Sequence, residues 1–248
     1  MNSRITIKGK VIRVLSLIVI LSLGLLETQG QNSVYKIFVK SEWQPYQDSL
    51  LLNYGLKKKF IKEFQLQSLI ALSYYPELKN VPITFQYHAI KTTMEVRPEY
   101  FSTFKKHNRR YIIFIDNIVH NNDGVLLKDV PFNAQIGVIG HELAHIIDYE
   151  HRSTTSILGL AIAYVVRKNH ATYERSIDES ALKRGLGWQE LDFADFLQNR
   201  ANASERYKRF KQVNYLSSSE IADEIAKMKI YSSFETPNKL GNSGARKY

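Results

Sequence analysis

The stretch GVIGHELAHIIDYEH, Gly137 to His151, constrains the fold more than any other part of the chain. Ile136, Ile139, Leu143, Ile146 and Ile147 recur at helical spacing and make one continuous apolar face. His141 and His145 stand four residues apart, on a single face of the same helix. Gly137 lies one turn before His141 and Gly140 directly before it, which leaves room for close approach of backbone or ligand. A helix this apolar needs a second layer to cover it. The preceding sequence offers one in three β-patterned segments, VPITFQYHAI, TTMEVRP and YIIFIDNIV. The expected class is therefore α+β: a small, mostly antiparallel sheet packed on this helix, then a helix carrying YERSID, then C-terminal helices. TTMEVRP is expected to pair with VPITFQYHAI, and the more apolar YIIFIDNIV to be central.

Local signals set further boundaries. Asn133 is the expected N-cap of the histidine helix, with Pro131 two residues before it, and the helix should run to about Tyr149. SVYKIFVK alternates like a short strand, and about Gln47 to Tyr75 has the spacing of one helix, with Gly55 a weak point in its first part and Pro76 and Asn80 closing it. NNDG reads as a turn. The apolar segment SILGLAIAYVV, Ser156 to Val166, is too short to cross a bilayer, which takes about 20 residues. It reads as a buried helix, with a membrane-surface segment as the alternative. The helix carrying YERSIDESALKRG should stop at Gly185 or Gly187, and Ser217 to Ser219 before Glu220 marks another helix start. With no repeat and no long linker, residues 31–248 are expected to form one domain with a loose tail at about 236–248.

The first thirty residues have the order of parts of a secretory signal peptide. Arg4, Lys8, Lys10 and Arg13 precede an uncharged apolar run from Val14 to Leu26, and Thr28 and Gly30 are the small residues before a cut at Gln31. This places the mature chain outside the cell or in the periplasm or cell envelope; an uncleaved membrane anchor is the alternative. The formal charge of +10 falls to +7 on removal of that segment, which holds four basic residues and Glu27. Basic runs at Lys57–Lys59 and Lys105–Arg110 read as solvated faces, or as surfaces attracted to a membrane or an anionic envelope polymer. No nucleic-acid-binding signature is present, and nucleic acid is not an expected partner. The chain has no cysteine, which excludes disulfides, thiol catalysis and cysteine-ligated metal.

His141, Glu142 and His145 fit H-E-x-x-H. Two imidazoles one helical turn apart can share one tetrahedral zinc ion. Glu142 is rotated about 100° from His141, so it lies beside the metal without ligating it and can accept a proton from a water that zinc acidifies. The same spacing also occurs in an amphipathic helix with two surface histidines, so a third ligand decides the matter. His151 follows His145 by six residues, but Asp148 stands where the three-histidine pattern needs glycine, and His151 is a weak candidate. Glu174 is the better one. It shares a helix face with Asp178, four residues on, which can accept a hydrogen bond from the outer nitrogen of a ligating histidine, His141 first. Glu179 competes with Glu174 as the third ligand, although its own i+4 neighbour is Lys183.

HELAH followed by ERSID resembles the gluzincins, the thermolysin-like zinc metallopeptidases, and its compactness resembles their minigluzincin-like members. The resemblance covers about residues 110–185. It implies a zincin-like fold, Zn2+ held by His141, His145 and Glu174, Glu142 as general base, Asp178 behind a ligand, and hydrolysis of peptide bonds in a peptide or protein substrate. It also implies a sheet edge that takes up extended peptide, for which RRYIIFIDN is the candidate region beside the cleft. Tyr149, Tyr164, His170, Tyr173 and Tyr215 are candidates for stabilising the oxyanion. A non-catalytic exported zinc-binding or envelope-interaction protein that retains the site is the alternative.

Overall fold

Four strands form a mixed sheet in the order β1-β2-β4-β3: β1 (Lys58–Lys59), β2 (Ile83–Tyr87), β3 (Met94–Pro98) and β4 (Tyr111–Ile115). The computed structural model describes residues 34–104, 108–118, 124–163 and 167–232. The signal segment, most of NNDG, Tyr164 and the expected tail lie outside the described residues.

The α+β class holds, but the sheet is not mostly antiparallel. β2 runs parallel to both β1 and β4, and only β3 and β4 are antiparallel. TTMEVRP crosses to the far side of β4, so its partner is YIIFI and not ITFQY. The physical reason is visible in β4, whose Tyr111, Ile113 and Ile115 are fully buried. The most apolar strand takes the centre, with a paired strand along each edge. Alternation fixes which face each strand buries and carries no information on the order of pairing.

The helices are α1 (Gln47–Tyr54), α2 (Gln65–Ser73), α3 (Phe132–His151), α4 (Thr154–Ala163), α5 (Arg167–Ala181), α6 (Gly187–Asp195), α7 (Glu205–Asn214) and α8 (Ser218–Lys227). α3 carries the histidines. Ile136, Ile139, Leu143, Ile146 and Ile147 are buried in one core with Ile83, Phe85, Met94, Val96, Ile113 and Ile115 from the sheet. The apolar face thus meets the layer that its periodicity demanded.

Several local expectations are corrected. The helix expected over Gln47–Tyr75 is two helices. The chain leaves α1 at Gly55, passes through Lys57 at φ 58°, and makes β1 before α2 begins. The Lys58 ammonium anchors this break by donating to the carbonyls of Leu56, Leu78, Lys79 and Val81 at 2.8–3.2 Å. SVYKIFVK is not a strand. Tyr35 and Phe38 instead pack on Trp43, with ring centroids 4.9–5.2 Å apart. Asn133 lies inside α3, after Pro131 at the N-cap position. Its Oδ1 accepts from the Phe38 backbone at 2.9 Å and from Gln189 Nε2 at 3.1 Å, so it ties the N-terminal segment to α3 and α6. RRYIIFIDN supplies the central strand; β3 is the edge nearest α3. Ser217 does cap α8, in a reciprocal capping box with Glu220. SILGLAIAYVV contributes most of α4, where Ile157 is buried. Among the described residues no helix is long and apolar enough to cross a membrane.

α6 crosses α3 at the glycines. A Cβ on Gly137 would lie 2.5 Å from the backbone C and O of Gln189, and one on Gly140 would lie 2.4 Å from Leu186 Cδ1. A π-helical turn, Leu182–Leu186, follows α5, and Gly185 within it, at φ 101°, redirects the chain into α6. Alanine at an open helical position is worth up to about 1 kcal/mol over glycine. Gly137→Ala is expected to reverse that sign and cost about 1–3 kcal/mol, because backbone must move. A chemical denaturation midpoint checks this; an unchanged or raised midpoint contradicts the close crossing.

Candidate metal site

The opposite face of α3 points its two histidines at α5. His141 Nε2 and His145 Nε2 are 3.1 Å apart. Glu174 Oε2, from α5, lies 3.1 Å from the first and 3.4 Å from the second. Donors at 2.0–2.1 Å from a tetrahedral zinc ion stand about 3.3 Å from one another, so the triangle has the size a metal ion requires. All three side chains are buried, Glu174 to 1% exposure. Together they can hold a metal ion.

The outer atoms of the ring are fixed as well. Asp178 Oδ1 lies 2.8 Å from His141 Nδ1, and Asp178 Oδ2 accepts from the Leu216 backbone N–H at 2.8 Å. The carboxylate therefore holds the proton on Nδ1 and leaves the Nε2 lone pair facing the triangle. His145 Nδ1 lies 3.2 Å from the Tyr173 hydroxyl, which donates to Asp148 Oδ2 at 2.9 Å. Asp148 in turn accepts from Arg152 Nε at 2.6 Å. With the phenolic proton committed to Asp148, the Tyr173 oxygen accepts from Nδ1, and Nε2 of His145 also faces inward. Tyr149 stacks over His145 with ring centroids 6.2 Å apart.

The electrostatics show a demand for positive charge. Burial opposes protonation of His141, but its hydrogen bonds with Asp178 and Glu174 hold its pKa well above the ordinary histidine value. Burial raises the Glu174 carboxyl, but the His145 charge and the bonds from both histidines outweigh it and hold it below the usual carboxylate range. A proton on His141 and a metal ion at the triangle are alternative answers to the same excess of carboxylate. Glu142 is buried outside the triangle, and burial raises its pKa against the pull of both histidines. Glu190, from α6, is pushed up to about 8 by burial, opposed by the nearby His141 charge.

The structure separates the ligand candidates. Glu174 joins the two histidines, whereas Glu179 is exposed and 3.4 Å from Lys183. His151 ends α3 exposed to solvent. Of the oxyanion candidates, Tyr173 and Tyr149 are engaged around His145, and His170 Nε2 lies 3.7 Å from Glu174 Oε1. Tyr215 lines the same cavity as His141 and Glu142.

Two contributors are not apparent in the sequence. Tyr173 sits next to Glu174 and is turned away from it along the helix, yet its long side chain reaches the outer nitrogen of the other histidine. Glu190 arrives through the crossing of α3 and α6, for which Gly137 and Gly140 are the sequence trace. Comparisons with protein-family models, curated proteins and solved structures each found no match.

Proposed function

We propose that this protein is an exported zinc-dependent peptidase of gluzincin type, with a zincin-like fold. The observation that carries the proposal is the triangle of inward-facing donors on His141, His145 and Glu174, with the buried, non-ligating Glu142 one residue from the first. Two imidazoles and one carboxylate are a donor set suited to zinc, and three protein ligands leave a position for water or substrate. A zinc ion held by these three residues would supply the Lewis acidity that acidifies a bound water and polarises a carbonyl. Glu142 accepts the proton of the attacking water and passes it to the leaving amine. Asp178 and Tyr173 keep both histidines in the tautomer that faces inward.

Substrate has a natural seat. β3 ends the sheet order, lies against α3, and continues from Thr93 and Met94, which line the cavity with His141 and Glu142. An extended peptide added to that edge would pass the donor triangle. The signal-peptide pattern of the first thirty residues supports a location outside the cytoplasm. The basic runs are in part structural: Lys58 is held by four backbone carbonyls, Arg109 is buried, and Arg110 is paired with Glu99.

The test is direct. The purified mature chain is expected to hold one zinc ion and to cleave members of a broad peptide library, with cleavage abolished by chelation and restored by zinc. Bound zinc without any cleavage would instead identify a non-catalytic exported metal-binding protein.

A further inference from the structure

The cavity next to the donor triangle encloses about 370 Å³. Its walls are mainly apolar, with Met94, Val138, Phe193, Leu197 and Leu216 among them. Glu190 also lines it. This side chain is 5% exposed, and its Oε1 has no hydrogen-bond partner among the described residues. A carboxylate oxygen of Glu190 lies within 4.8 Å of a ring nitrogen of His141 and an oxygen of Asp178, so the acid sits beside the His141–Asp178 pair at the cavity wall.

We infer that this cavity receives a lysine or arginine side chain from the residue flanking the cleaved bond, and that Glu190 pairs with its cationic head. The inference rests on the peptidase reading above. A buried carboxylate oxygen without a partner is costly, and packing alone would favour an apolar side chain there. The apolar walls match the methylene stem of a lysine or arginine, and the unpaired oxygen matches the charged end. Among the described residues, His141 and Lys211 are the groups lining the cavity that can carry positive charge; the charge of each favours the ionised form of Glu190, and the Lys211 ammonium stands over the Tyr215 ring, 3.8 Å from the centroid. A small apolar or an acidic side chain would offer Glu190 no cation on binding. Glu190 is thus a specificity-determining residue, set in place by the close crossing at Gly137.

The experiment uses the full chain, zinc-loaded, carrying Glu142→Gln so that bound peptide survives. N-acetylated peptides that differ only in lysine against norleucine are titrated calorimetrically; acetylation removes the terminal amine as a competing cation. The lysine peptide is expected to bind at least about tenfold more tightly, as charge-assisted pairing implies. Adding Glu190→Gln should abolish that preference while zinc content stays at one per chain. Equal affinities before Glu190 is touched, or a preference that survives Glu190→Gln, overturns the inference. Loss of zinc in Glu190→Gln also overturns it, by making Glu190 part of the metal site. A chain that cleaves peptides without basic preference sinks this inference and leaves the peptidase reading standing. A chain that cleaves nothing, yet shows the lysine preference through Glu190, overturns the peptidase reading and keeps only the pairing of Glu190 with a basic side chain.

Discussion

Replacing Glu142 with glutamine is expected to lower peptide cleavage by about 10²–10⁴-fold while leaving metal content unchanged. The separation of the two effects follows from where the side chain lies. Glu142 is buried beside the donor triangle but contributes no atom to it. Glutamine has nearly the same shape, so the packing of α3 against the sheet and α6 should survive. The amide cannot accept a proton, so the attacking water keeps it. Burial raises the pKa of the Glu142 carboxyl, which makes its carboxylate a stronger proton acceptor than an exposed one. Two measurements check the prediction together: the metal-to-protein ratio after gel filtration, and the rate on a peptide that the native chain cuts. A variant that loses metal would assign Glu142 to the ligand set. A variant that retains full activity would place the base elsewhere.

The histidine helix and its partner acids were legible because their geometry is local. A spacing of four on a helix puts side chains on one face whatever the fold does, so His141 with His145 and Glu174 with Asp178 could be paired in advance. The apolar stripe of α3 was legible for the same reason. The central place of YIIFI was legible from its apolar character, but the partner of TTMEVRP and the parallel pairing of β2 with β4 were not, since alternation carries neither. The break after Gly55 was also hidden. Helical spacing continues through Leu56, Phe60 and Phe64, and the break depends on Lys58 reaching carbonyls 20–23 residues away. Asn133 illustrates a third kind of hidden information. Its residue type is right for a cap, but two partners remote in sequence, Phe38 and Gln189, use its oxygen instead. Glu190 is of the same kind: an acid on a mixed helix gains its meaning from a crossing that only tertiary structure creates.

Removing the third donor should be the more severe lesion. Glu174→Ala is expected to reduce zinc affinity by more than the roughly 10–100-fold that loss of an outer partner brings. Glu174 is 1% exposed, and its Oε2 stands 3.1 Å and 3.4 Å from the two ligating nitrogens. Two histidines alone cannot close the site, and Glu174 is the acid grouped with both of them. Glu179→Ala is the control. Its carboxylate is exposed and paired with Lys183 at 3.4 Å, an arrangement worth about 0–1 kcal/mol to the fold and nothing to the metal. Asp178→Asn and Tyr173→Phe should fall between these limits, because each loosens the outer nitrogen of one histidine without removing a donor. Competition with a chromophoric chelator ranks all four variants. Zinc added at 100 times Kd should also raise the stability of the native chain by about 2.7 kcal/mol, and at the same concentration should do little for Glu174→Ala. If Glu174→Ala loads zinc normally and Glu179→Ala does not, the triangle of α3 and α5 is not the metal site. The roles given to Asp178 and Tyr173 would then fall with it, since both act only by turning His141 and His145 toward Glu174.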